Sequence, residues 1–146
     1  MTASLTVHLE RLVPAPRSHV FRMHADAELL RRWWGPRGFS APSVELDVRA
    51  GGRYRIEMQP PSGASFVLSG EFRVVDPATR LVYTFRYEDP DPDDQETVVV
   101  FSLGDRGEST ALTVDQGSFA TEHRRALHER GWSESLDRLL ELTTTG

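Results

Sequence analysis

From Val44 to Gln116 the chain repeats one pattern six times: apolar and polar residues alternate, and short polar turns separate the runs. Val44, Leu46 and Val48 alternate with Glu45, Asp47 and Arg49; Tyr54, Ile56 and Met58 alternate with Arg53, Arg55 and Glu57. "SFVLSGEFRVVD" carries Phe66, Leu68, Gly70, Phe72 and Val74 on one side, and "LVYTFRYE" carries Leu81, Tyr83, Phe85 and Tyr87. "ETVVVFSL" and "STALTVDQ" complete the set. A period of two is that of a strand with one face in the core. The intervening "AGG", "PPSG", "DPATR" and "GDRGE" are too short for the crossovers that parallel strands need, so the six strands form an antiparallel meander. A sheet that is apolar on one face must be covered by another element.

The C-terminus supplies that cover. At about 100° per residue, Trp132, Leu136, Leu139, Leu140 and Leu142 fall within an arc of about 160°, with Glu134, Asp137, Arg138 and Glu141 opposite. Leu127 lies outside this arc and Gly131 separates the two stretches. The pattern therefore predicts a break near Arg130 and Gly131, with a separate helical piece starting at Thr121. Ahead of the meander, "SLTVHLERLV" predicts a strand with Leu5, Val7 and Leu9 inward. Two short helices follow, Pro16 opening the first, Asp26 capping the second, and Gly35 with Pro36 ending it. On the second helix Leu29, Leu30, Trp33 and Trp34 share one arc. Trp33 lies at its middle and is read as core; Trp34 lies at its edge, either the lip of a cavity or a half-exposed staple beside the loop that follows. The expected order is one strand, two helices, six strands and a helix, in a single domain over 1–146.

Composition removes several kinds of chemistry. All seventeen basic residues are Arg and none is Lys, so a Schiff-base lysine or lysine general base is excluded. There is no Cys, which excludes a thiol nucleophile, a disulfide framework and a thiolate metal site. A net charge of −5 argues against nucleic acid or an anionic membrane as partner. The N-terminal stretch carries no apolar run of signal-peptide or membrane-span length, and the expected location is the cytoplasm.

No nucleophile elbow, Walker loop or dinucleotide fingerprint is present. His19 and His24 are five residues apart, as are His123 and His128, a spacing that puts each pair on different faces of a helix; no metal site is expected. "EDPDPDDQE" lacks the glycine of a calcium loop and reads as a solvated hairpin loop. Glu57 and Glu71 fall on the charged faces of their strands, which favours exposure over acid–base work. No catalytic residue and no cofactor emerge.

Aromatic side chains are the remaining signal. Tyr54, Phe66, Phe72, Tyr83, Phe85, Phe101 and Trp132 share the inward phase of their elements. Two of them bring hydroxyls inward, which a dry core would have to satisfy. An apolar cavity with a few polar points is what small-molecule sites look like. The expected lining is Tyr54, Phe66, Tyr83, Phe85, Phe101 and Trp132, with Trp34 near the mouth and the hydroxyls of Tyr54 and Tyr83 orienting the ligand.

The segments "APRSHVFRMHADAELLRRWWGPRGF", "DVRAGGRY", "GEFRVVDPATRLVYTF" and "HRRALHERGWSESLDRLLEL" occur in this order. Over nearly the whole chain they resemble the bacterial homologues of the C-terminal domain of the activator of heat-shock protein 90 ATPase, in the START-like (SRPBCC) superfamily. The resemblance implies an α+β helix-grip fold: a curved antiparallel sheet of about seven strands around a long C-terminal helix, with two short helices after the first strand. It marks Trp33, Gly51, Gly52, Gly131 and Trp132 as fold determinants and assigns no catalytic residue. In the superfamily the space between sheet and helix often holds a hydrophobic ligand, and some members cyclise aromatic polyketides.

Three functions follow in order. The first is non-catalytic binding of a small hydrophobic or aromatic molecule between the sheet and the C-terminal helix. The second is a chaperone-associated interaction module, which this chain's lack of the extra N-terminal domain of the eukaryotic co-chaperones weakens. The third is a cyclase-like or hydrolase-like enzyme using Tyr54, Tyr83 or a histidine. The expected partner is a small hydrophobic ligand, with a chaperone contact as the second reading, in a monomer or homodimer.

Overall fold

The computed structural model describes residues 5–144; the expected single unit over 1–146 also takes in residues outside that range. Seven strands form one antiparallel sheet: β1 (Thr6–Val13), β2 (Ser40–Leu46), β3 (Arg53–Gln59), β4 (Phe66–Asp76), β5 (Arg80–Tyr87), β6 (Thr97–Arg106) and β7 (Ser109–Gly117). Their spatial order is β1-β7-β6-β5-β4-β3-β2, so the meander is unbroken and β1 joins it beside β7. Helices α1 (Arg17–Ala25) and α2 (Ala27–Leu30) connect the two edge strands, and α3 (Glu122–Thr144) provides the cover. This is the helix-grip arrangement. Among the described residues no helix is long and apolar enough to cross a membrane.

The period-two reading of β4 fails at one point. The β4–β5 register shifts between Phe72 and Val74, so Val75 pairs with fully buried Leu81 while Val74 pairs with Val82. Cross-strand partners point to the same face. Val75, not Val74, therefore packs on the core, because a bulge inserts a residue and inverts the phase beyond it. The second strand also starts earlier than expected, at Ser40, and ends before Val48.

The predicted break at Arg130–Gly131 does not occur; α3 is continuous over twenty-three residues. A glycine costs a helix only about 1 kcal/mol relative to alanine, which the packing of Trp132, Leu136 and Leu139 outweighs. Thr121 does cap the start, its hydroxyl accepting the Arg124 N–H at 3.1 Å. The buried arc of α3 is narrower than the sequence pattern. Leu136 and Leu139, near its centre, are fully buried, whereas Leu142 at its edge is 38% exposed.

Helix α2 is also shorter than expected, a single turn capped by the Asp26 carboxylate, which accepts the N–H groups of Glu28 and Leu29. Both tryptophans follow it and both are buried. Trp33 donates its indole N–H to the Met23 carbonyl at 2.9 Å and stacks near Phe101, joining the two short helices to the sheet.

Candidate functional site

Helix α3 lies closest to β1 and stands further from the middle of the sheet. The space this leaves is a cavity of about 250 Å³ between α3, the ends of β3, β4 and β5, and the loop after α2. Its walls are aromatic and aliphatic: Trp34, Phe39, Met58, Phe66, Phe85 and Trp132. The loop is held to α3 by polar contacts. Arg138 donates to the carbonyls of Arg32, Trp34, Gly35 and Pro36, Ser135 Oγ accepts the Gly35 N–H at 3.0 Å, and Glu134 accepts the Arg37 N–H. These bonds set Trp34 edge-on against Trp132, with ring centroids 5.3 Å apart. Trp132 is fixed in turn, since its indole N–H donates to Gln116 Oε1 and Gln116 donates to Thr97 Oγ1, both at 2.8 Å.

Of the residues expected at the cavity, Trp34, Phe66, Phe85 and Trp132 line it. Trp34 is a buried wall rather than an exposed lip. Tyr54, Tyr83 and Phe101 lie elsewhere. The Tyr54 ring lies over Gly70 and its hydroxyl donates to the Thr84 carbonyl at 2.5 Å. The Tyr83 hydroxyl is paired with His24 Nε2 at 2.8 Å in filled core, and Phe101 is fully buried against His24 and Trp33. Inward phase is thus shared by two different interiors, a packed one under α1 and α2 and an open one under α3. A period-two pattern reports the face of a strand and not the position along it.

Tyr87 and His128 line the cavity too, although neither figured in the expected lining. Tyr87 carried the right signal, being in phase with Phe85 on β5. His128 is one turn from Trp132 and one turn from Arg124, which also lines the cavity, so the three form a stripe along α3. The expected break at Gly131, and the weighing of His128 only as a metal partner of His123, concealed it. The acidic loop between β5 and β6 is not merely solvated: Asp91, Asp93 and Asp94 all pair with Arg124, and Thr121 donates to Asp93.

A second depression, about 470 Å³, lies over Gly70 on the outer face of the sheet. Arg53, Arg55, Arg86 and four glutamates line it, so it offers a ligand little apolar surface. Among the described residues no group of His, Asp and Glu side chains is arranged to hold a metal ion.

Two histidines are held neutral. Burial pushes His24 down to about 4, against a small opposing contribution from its own backbone; burial and then the Arg124 charge push His128 down to about 4. Because the unfolded chain keeps the ordinary value near 6.5, it takes up protons first as pH falls. Stability is therefore fully present above pH 6.5 and declines as pH drops toward 4, by about 1.4 kcal/mol per unit for a fully buried histidine such as His24. Urea unfolding between pH 7 and 4.5 is expected to show this decline, and His24→Gln is expected to flatten it. An unchanged slope in the variant would remove His24 as its source.

Residues 14–144 match the model of the family described as Activator of Hsp90 ATPase homolog 1-like protein. The chain belongs to that family. Its fold is similar to that of a Chromobacterium violaceum protein at 28% identity, with a TM-score of 0.87 and coverage of 94% of this chain and 96% of the other. A Nitrosomonas europaea protein is similar at 30% identity, with a TM-score of 0.80 and coverage of 97% and 96%. DynU16, from the dynemicin biosynthetic locus, shares the fold at 24% identity and a TM-score of 0.77, with 98% of this chain covering 49% of that one. No curated protein sequence matches this chain. The helix grip is the fold of these relatives; in the hairpin after β2, Gly51 donates its N–H to the Phe72 carbonyl and Phe72 donates to that of Gly52.

Proposed function

We propose that this family member is a cytoplasmic protein that binds a small hydrophobic or aromatic molecule, without turnover, in the cavity between the sheet and α3. The observation that carries the reading is the cavity itself: a space of about 250 Å³ with aromatic walls between the sheet and α3. Its size is just below the usual range of about 300–1,000 Å³ for ligand sites, which suits a compact fused-ring molecule. Apolar burial at roughly 25 cal/mol per Å² would supply most of the affinity, less the cost of immobilising the ligand.

Gly131 offers a direct test. It lines the cavity, and a Cβ built there would meet only Pro36 Cγ, at an ordinary 3.8 Å. Gly131→Ala is thus expected to stabilise the helix by up to about 1 kcal/mol while placing a methyl group in the cavity. Naphthalene is expected to quench the tryptophan fluorescence saturably in the parent protein and several-fold more weakly in Gly131→Ala. Absence of saturable quenching, or binding indifferent to the added methyl, would move the assignment to a surface interaction module.

A further inference from the structure

We infer that the cavity selects an uncharged aromatic ligand bearing one hydroxyl or carbonyl group, held at its Tyr87–His128 end, and rejects carboxylates. The inference rests on the binding reading above and adds the chemical class of the ligand.

The polar groups that face the cavity decide this by what they already do. The Ser135 hydroxyl donates to the Gly131 carbonyl and accepts the Gly35 N–H, so it is occupied. Arg124 is the obvious anchor for an acid, yet its guanidinium is surrounded by three carboxylates. Its Nε lies 2.9 Å from Asp93 and 3.2 Å from Asp94, and its terminal nitrogen pairs with Asp91. One positive charge among three negative ones presents a net negative field to an incoming anion, and an anion would have to break charge-assisted bonds to reach the arginine.

Tyr87 and His128 differ. The Tyr87 hydroxyl is 3.5 Å from His128 Nε2, at the outer limit of a hydrogen bond, and it has no other hydrogen-bond partner among the described residues. Both side chains are packed into an aromatic wall, Tyr87 edge-on to Phe66 and Phe85, and His128 against Phe85 and Phe119. Their positions are therefore held while their polar atoms remain available. The neutral histidine has one donor and one acceptor nitrogen, and the tyrosine hydroxyl can act as either. The pair can meet a ligand hydroxyl or carbonyl but brings no charge to neutralise an acid. A carboxylate placed there would lose its hydration without a compensating cation.

Four naphthalenes of one shape and different polar ends test this at neutral pH: naphthalene, 2-naphthol, 2-naphthoate and protonated 2-naphthylmethylamine, each titrated against tryptophan fluorescence. The parent protein is expected to bind 2-naphthol about three- to tenfold tighter than naphthalene, the range one neutral hydrogen bond supplies. 2-Naphthoate is expected to bind at least tenfold more weakly than 2-naphthol. In Tyr87→Phe the ratio of naphthol to naphthalene affinity is expected to fall towards one, and His128→Gln is expected to retain more of the preference than His128→Leu. Tightest binding of the naphthoate would assign Arg124 as an acid anchor, and tightest binding of the ammonium would assign an aromatic cage for cations; either overturns the inference while leaving the binding reading intact. Equal affinity for naphthalene and naphthol does the same. Failure of all four to bind overturns both.

Discussion

Trp33→Ala is expected to lower the stability of this protein by about 3–5 kcal/mol, and Trp34→Ala by clearly less. The two side chains are adjacent and both buried, so the difference lies in what each leaves behind. Trp33 is fully enclosed, edge-on to His24 and Trp34 and stacked near Phe101. Its removal opens a void that water cannot readily enter and strips the Met23 carbonyl of its indole partner. Trp34 already borders an open cavity. Its removal enlarges a space that exists and can hydrate, so less packing is lost outright. Urea midpoints of the two variants check this, and equal losses would reject the division into core and cavity wall.

Gly70→Ala is expected to cost about 3 kcal/mol or more, at the upper end for overpacking, although Gly70 lies in a strand where most substitutions are mild. Tyr54 and Gly70 are cross-strand partners, and the Tyr54 ring occupies the space a side chain would need. A Cβ at Gly70 would fall 1.9 Å from the Thr84 carbonyl oxygen and 2.7 Å from Tyr54 Cε1. The oxygen belongs to the backbone of β5, so no rotamer change relieves the clash; the two strands must separate. At this point side chains replace the ladder: Tyr54 bonds the Thr84 carbonyl, and Thr84 Oγ1 accepts the Glu71 N–H at 2.8 Å. Tyr54→Phe, which removes only the hydroxyl, is expected to cost about 1 kcal/mol. A loss below 1 kcal/mol in Gly70→Ala, with amide protection of β5 intact, would show that the strands do not depend on this close approach.

The elements of the fold were legible because their signals are local. Alternation along β3, β5, β6 and β7, the Asp26 cap and the central leucines of α3 each depend on spacing within a few residues. The readings that failed depended on competition between distant groups. Leu127 outside the arc and Gly131 between the two stretches suggested a break because they were weighed without the packing of Trp132 and Leu136, which follow the glycine. Val74 was assigned inward because a bulge leaves no mark in a period-two pattern. Of the five strand residues expected at the site, only Phe66 and Phe85 line the cavity for the same reason: alternation identified the inward face, and nothing in it says where along that face the helix stands off.

By itself, the sequence determined an antiparallel six-stranded meander covered by a C-terminal helix, with a further strand ahead of it and Trp33 in the core, since hydrophobic periodicity and turn chemistry act on neighbours in the chain. The seven-stranded grip was what the family resemblance implied. Only the tertiary structure decided that Tyr54 and Tyr83 bond internally while Tyr87 and His128 face a cavity. That outcome depends on how far α3 stands from β3, β4 and β5. The distance is set by contacts between residues about a hundred positions apart, Arg138 and Ser135 with the loop after α2, and these have no expression in local spacing.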